Sequence, residues 1–253
     1  MNHLMKKLFF IVPAALMLCL FCGCGSKNTA DRQLQRAAAH AERNDWHKAR
    51  EVTARVLKKS PRHSNAQLLM ALCLEKNGSL EEAADLARQA AKLRRSDFAA
   101  IYTAARLTYL ATPARRETFD ELEKALLLRP NDLNTLILLC NCGTEISHPR
   151  VIRYLQKLEK TGSPDPALLK FQFGAYYAAG KNHAVAKDYF EQAVKLKPES
   201  AELAYAAATH LDRGGVSTAV LFYQRFLDHP AAKERAMVDT ARQRIDYFRN
   251  YRR

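Results

Sequence analysis

"GAYYAAGKNHAVAKDYFEQAVKLKP", Gly174 to Pro198, decides how the rest of the chain is read. It resembles "ALCLEKNGSLEEAADLARQAAKLRR", Ala71 to Arg95, in one respect that matters: alanine stands twelve and nineteen residues after the first residue of both, at Ala83 and Ala90 and at Ala186 and Ala193. Each stretch is rich in helix formers and is divided by a short glycine-containing turn, so each predicts a helical hairpin. Two antiparallel helices approach closely only where a small side chain leaves room for a neighbour's bulky one, which is why alanine and glycine recur at fixed spacing.

Working outward, prolines that end such segments fall at Pro61, Pro130, Pro164, Pro198 and Pro230, and Arg95 occupies the place of the missing one. The steps between these positions are 34, 35, 34, 34 and 32. Proline suits this place because it lacks a backbone donor and disfavours helix in the residue before it. A near-constant period of this length marks a stacked repeat architecture.

Two helices in each such period resemble the tetratricopeptide repeat. Residues 167 to 200 carry the motif most fully, with Phe173, Gly174, Tyr177, Ala186, Phe190, Ala193 and Pro198 in its bulky, small and terminating places, and Lys170 as the one departure. Residues 64 to 97 supply Met70, Ala71, Leu74, Ala83 and Ala90, with Gly78 in the turn. Residues 30 to 63 fit in their second half (Trp46, Ala49, Pro61) and poorly in their first, where Arg36 and His40 take apolar places. Residues 98 to 132 hold one extra residue, assigned to the turn around Thr112-Pro113. Residues 133 to 166 keep Leu136, Leu139, Cys140 and Pro164 but turn at Ser147-His148-Pro149, and 201 to 232 are shortened around Gly214-Gly215. The expected fold is all-α: a right-handed superhelical solenoid of about six helix pairs over 30–232, closed by a basic capping helix, 233–253, that shields the last apolar face.

The chain begins MNHLMKK and continues with the apolar run Leu8 to Phe21, which is too short to span a bilayer and has the layout of a secretory signal. Phe21-Cys22-Gly23-Cys24 resembles the bacterial lipobox. That resemblance implies a signal peptide over 1–23, lipidation of Cys24, a short linker over 24–29, and a membrane anchor formed by the attached acyl chains. A plain signal peptide or an uncleaved anchor is the alternative. Gly25 is not the aspartate associated with inner-membrane retention, so the expected location is the cell envelope, at the outer membrane and facing the periplasm. Cys73, Cys140 and Cys142 remain in the mature chain, an odd number. Cys140 and Cys142 point to different sides of a helix and read as small core residues, not as a disulfide or metal pair.

Family resemblance places partner peptides against the first helices of successive units. Carried onto this chain, the partner-facing residues include Asn65, Leu68, Leu72, Glu75, Tyr102, Arg106, Tyr109, Asn134, Asn141, Phe171 and Tyr205. Tyr102, Arg106 and Tyr109 share one helix face and are residue types favoured in binding hot spots; the alternative is that the tyrosines pack against the next unit. Asn134 and Asn141 could clamp a peptide backbone or simply be solvated.

Formal charge is +14, falling to +12 without Lys6 and Lys7, and it is uneven. Residues 30–63 carry +5 and 233–253 carry +4, whereas 64–97 and 98–132 each balance to zero. A basic first unit beside a lipid anchor suits contact with anionic headgroups; solvated helix faces are the plain alternative. Nucleic acid is not an expected partner of an exported chain. No phosphate-binding loop, dinucleotide fingerprint, zinc-protease helix or nucleophile elbow occurs, so no cofactor, metal site or catalytic residue is expected. The expected function is a non-enzymatic adaptor for envelope proteins or peptides. Its layout is similar to that of type IV pilus assembly lipoproteins. The competing readings are an enzyme or enzyme subunit with a site in the groove, and a purely structural spacer.

Overall fold

The computed structural model describes residues 29–251 apart from residue 233. The expected signal peptide, most of the linker and Cys24 lie outside the described residues. Among those described there are thirteen α-helices and no strand. In chain order they are α1 (Thr29–Glu42), α2 (Trp46–Lys59), α3 (Ser64–Lys76), α4 (Leu80–Leu93), α5 (Phe98–Ala111), α6 (Arg116–Leu128) and α7 (Leu133–Glu145). They continue with α8 (Val151–Thr161), α9 (Pro166–Ala179), α10 (His183–Leu196), α11 (Ala201–Arg213), α12 (Ala219–Leu227) and α13 (Arg235–Tyr251). This is an all-α repeat fold. The described residues divide into two compact units, 29–142 and 143–251.

In residues 29–142, α1 packs on α2, α3 on α4 and α5 on α6, while α2 meets α3 and α4 meets α5. The core collects one small residue after another, Ala49, Ala66, Ala71, Ala83, Ala87 and Ala90, around Leu34, Leu68, Leu69, Leu72 and Leu107. In residues 143–251, α9 packs on α10, α11 on α12 and α12 on α13. Its core is aromatic where the other is aliphatic: Phe171, Phe190, Phe222, Tyr223, Phe226 and Phe248 surround Ala186, Ala193, Ala204 and Ala207. Gly174 is required there, because a Cβ at that position would sit 2.6 Å from the ring of Phe190.

The turns reveal the period in the backbone itself. Positive-φ residues occur at Asn44, Gly78, Ser147, Lys181 and Gly215. Successive members of this series stand one, two, one and one period apart, so each occupies the same place in its hairpin. Gly162, also at positive φ, caps the end of α8 and lies outside the series. Only the 98–132 hairpin lacks a member, because Thr112 precedes a proline and is held extended, at φ −126° and ψ 162°. That turn runs over four residues, 112–115, against three at 77–79. Short polar side chains then start the next helix. Asp97, Asp132 and Asp165 accept from the backbone N–H of Ala100, Thr135 and Leu168 at 2.8, 2.8 and 2.9 Å.

Candidate functional site

Within residues 29–142, the first-helix faces of α3 and α5 bring the expected hot-spot residues together, but they face each other. Arg106 donates from Nη1 to Glu75 Oε1 at 2.6 Å and from Nη2 to Oε2 at 2.7 Å. Both side chains are buried, with 6% exposure at each residue. Burial alone would lower the arginine pKa; the two hydrogen bonds and the negative charge of Glu75 outweigh it and raise it. Tyr102 stacks on Phe98 with centroids 5.5 Å apart and planes within 10°, and the Arg129 guanidinium lies 4.3 Å from the Phe98 ring. Desolvation pushes the Tyr102 hydroxyl up to about 12. Tyr102 and Tyr109 are 3% and 2% exposed.

Arg106 therefore ties α5 to the preceding first helix, and all three residues offer a partner almost no surface. The expected partner-facing residues Tyr102, Arg106 and Tyr109 are thus buried within the fold. The physical reason is the Glu75 carboxylate on the preceding first helix, which converts an exposed cation into one half of a buried ion pair. Asn141 is fully buried and Phe171 nearly so. In residues 143–251, Phe171 packs on Phe190 and His210 at 5.3 and 5.5 Å. Burial, helped by Arg213, lowers the His210 pKa to about 4. Of the expected contact residues, Asn134 is exposed and Tyr205 half-buried against Tyr223 and Phe226.

Sequence reasoning missed a surface on α9 and α10. Tyr189 stacks between Phe173, at 5.0 Å, and Tyr177, at 5.6 Å, with interplanar angles of 16° and 8°; Tyr176 meets Tyr177 edge-on at 5.3 Å. All three tyrosines are half-buried. Lys170, the motif's departure, completes the group. Its Nζ lies 5.4 Å from the Tyr189 ring centre and donates to Glu159 Oε1 at 2.8 Å. Lysine is tolerated in a bulky position because its stem covers rings while its ammonium group reaches a cation–π and ion-pair setting. The available signal was the run Tyr176-Tyr177 next to a lysine where an apolar residue was expected.

Cys73, Cys140 and Cys142 are buried and form no disulfide among the described residues. Burial pushes the Cys73 thiol up to about 11 and raises that of Cys140 as well. That direction is opposite to what a nucleophile or redox thiol needs. No described helix is long and apolar enough to cross a membrane.

Comparison with known proteins agrees with this geometry. Residues 34–100 match the tetratricopeptide repeat family model. A tetratricopeptide repeat protein from Parabacteroides merdae is 12% identical, with 87% of this chain and 86% of that one aligned at a TM-score of 0.66. PilW, described as a widely conserved type IV pilus biogenesis factor, is 15% identical over 85% of this chain and 99% of its own, at 0.58. YrrB, described as a TPR protein with an unusual peptide-binding site, is 19% identical over 77% and 99%, at 0.56. At these identities the likeness is one of fold. No curated protein sequence matches the chain.

Proposed function

We propose that the chain is a non-catalytic adaptor that holds partner proteins at the cell envelope. The observation that carries this reading is the stack of Tyr176, Tyr177 and Tyr189 beneath Lys170, which is accessible yet already ordered. Tyrosine supplies large contact area at a small cost in side-chain freedom, and rings already fixed by stacking lose little more on binding. Asn65, Asn134 and Tyr205 are expected first-helix residues with surface left to contribute. Solved relatives of the fold include a peptide binder and a pilus biogenesis factor, which fits peptide recognition during envelope assembly. Anchoring through Cys24 and placement at the outer membrane rest on the lipobox resemblance. The basic first unit then lies near anionic headgroups.

Pull-down from detergent-solubilised envelopes with the wild-type chain and with Tyr177→Ala/Tyr189→Ala tests the adaptor reading. Loss of specific partners from the variant is expected, and identical recovery by both proteins would overturn it. For the anchor, labelled palmitate should enter the wild type and not Cys24→Ser; incorporation into the variant contradicts the lipidation assignment.

A further inference from the structure

A recess of about 370 Å³ opens between α4, α5 and α6 in residues 29–142, on helices that carry none of the stacked tyrosines. Its inner lining is small and apolar: Ala91, Ile101 and Ala104. Its rim is cationic. Arg88 and Lys92, four residues apart on one face of α4, stand with Arg95 just past that helix and Lys124 on α6, against a single carboxylate, Glu121. These cations belong to repeats whose charges sum to zero, so the bias is created by their placement. Arg88 is held by Asp85 on its own helix. Lys92 and Arg95 are exposed and have no ion-pair partner among the described residues.

We propose that this recess binds an acidic linear peptide carrying one bulky apolar side chain, with that side chain against Ala91, Ile101 and Ala104 and its flanking carboxylates on Lys92, Arg95 and Lys124. With Arg88 held by Asp85, the three cations Lys92, Arg95 and Lys124 around Glu121 give charge complementarity to an acidic segment. The volume lies near the lower end of the range for ligand pockets, enough for a leucine-sized side chain and adjoining backbone. Glu121 separates a peptide from a lipid surface. Glu121 repels any anion placed beside it, so the peptide's carboxylates must lie on the Lys92, Arg95 and Lys124 side while Glu121 accepts a peptide N–H, an interaction a phosphate headgroup cannot supply. Burial, aided by Glu117, raises the Glu121 pKa overall against the pull of Lys124 and Arg88. A flat membrane would also leave the apolar recess unfilled. The recess shares no residue with the adaptor surface proposed above, so substitutions at Tyr177 and Tyr189 test that surface separately.

Fluorescence anisotropy on the full chain in detergent decides the matter, with a short fluorescein-labelled peptide of glutamates around one central leucine as probe. Saturable binding is expected. It should weaken at least about tenfold in Lys92→Glu/Arg95→Glu and, with the wild-type chain, when the leucine is replaced by glycine, while Tyr177→Ala/Tyr189→Ala binds as the wild type does. Absence of saturable binding, equal binding by the charge-reversed variant, or equal binding of the glycine peptide would overturn the proposal. Displacement by phosphatidylglycerol-doped micelles or inorganic phosphate as effectively as by unlabelled peptide would overturn it too, by assigning the rim to a headgroup or a free anion. Unchanged helical circular dichroism in the variant confirms that a lost signal reports the recess.

Discussion

Residues 29–142 and 143–251 use the same device in two settings. In the first, Glu75 near the end of α3 grips Arg106 of α5, and both are buried. In the second, Asp212 near the end of α11 grips Arg244 of α13, with Nε donating at 2.7 Å. Tyr223 donates to the same carboxylate at 2.9 Å, and the Arg244 guanidinium lies 4.5 Å from the Tyr247 ring centre and 5.4 Å from that of Phe248. Here the arginine side chain is 33% exposed. A carboxylate and an arginine about one repeat apart thus join successive first helices. Inside the array water is excluded; at the terminal helix it is not. The difference teaches that α13 is clasped to α11 much as α5 is to α3, and that burial sets how much each clasp matters.

The largest expected effect follows from the buried clasp. Arg106→Ala leaves Glu75 buried and uncompensated, and should destabilise residues 29–142 by about 3–5 kcal/mol. Trp46, the chain's only tryptophan, sits in this unit and reports its unfolding in urea. An unchanged midpoint would break the comparison by showing that the clasp is incidental. Next comes Gly174→Ala, which pushes a methyl group into Phe190 and should cost about 1–3 kcal/mol, read by thermal melting.

His210 offers a pH test confined to residues 143–251. Its pKa is about 4 in the fold and near 6.5 when unfolded, so the unfolded chain takes up the proton first. Stability is fully present above pH 6.5 and falls as pH drops toward 4, by on the order of 3 kcal/mol. His210→Gln should flatten that slope. Asp212→Asn weakens the partly exposed clasp and should cost about 1 kcal/mol, well below the buried one. An equal or larger loss would reverse the ranking of the two settings. The smallest effect belongs to the turns. Gly78→Ala should cost about 1 kcal/mol because of its left-handed backbone, whereas Lys181→Gly should be neutral or slightly stabilising at the equivalent place, both by denaturant midpoint.

The all-α repeat was legible because small residues and prolines recur at a spacing that only stacked hairpins explain. The repeating left-handed turn was only partly legible. Gly78 and Gly215 announce it, but Asn44, Ser147 and Lys181 adopt the same backbone without glycine. The contact surface was the least legible part. Position along a first helix says which way a side chain points, yet whether it reaches solvent depends on what the neighbouring helix puts opposite it. For Arg106 the clue was present, a carboxylate at Glu75 on the preceding first helix, but recognising it required pairing residues across two repeats. Tyr189 carries no such clue in its own stretch, since its stacking partners lie on α9.

A double-mutant cycle on Glu75 and Arg106, followed by Trp46 fluorescence in urea, tests the central claim that a buried charge clasp joins neighbouring first helices. The structure predicts that Glu75→Leu/Arg106→Met recovers most of the stability either single change removes, with a coupling of about 3 kcal/mol. Single changes that leave stability untouched, or losses that simply add in the double variant, would contradict it.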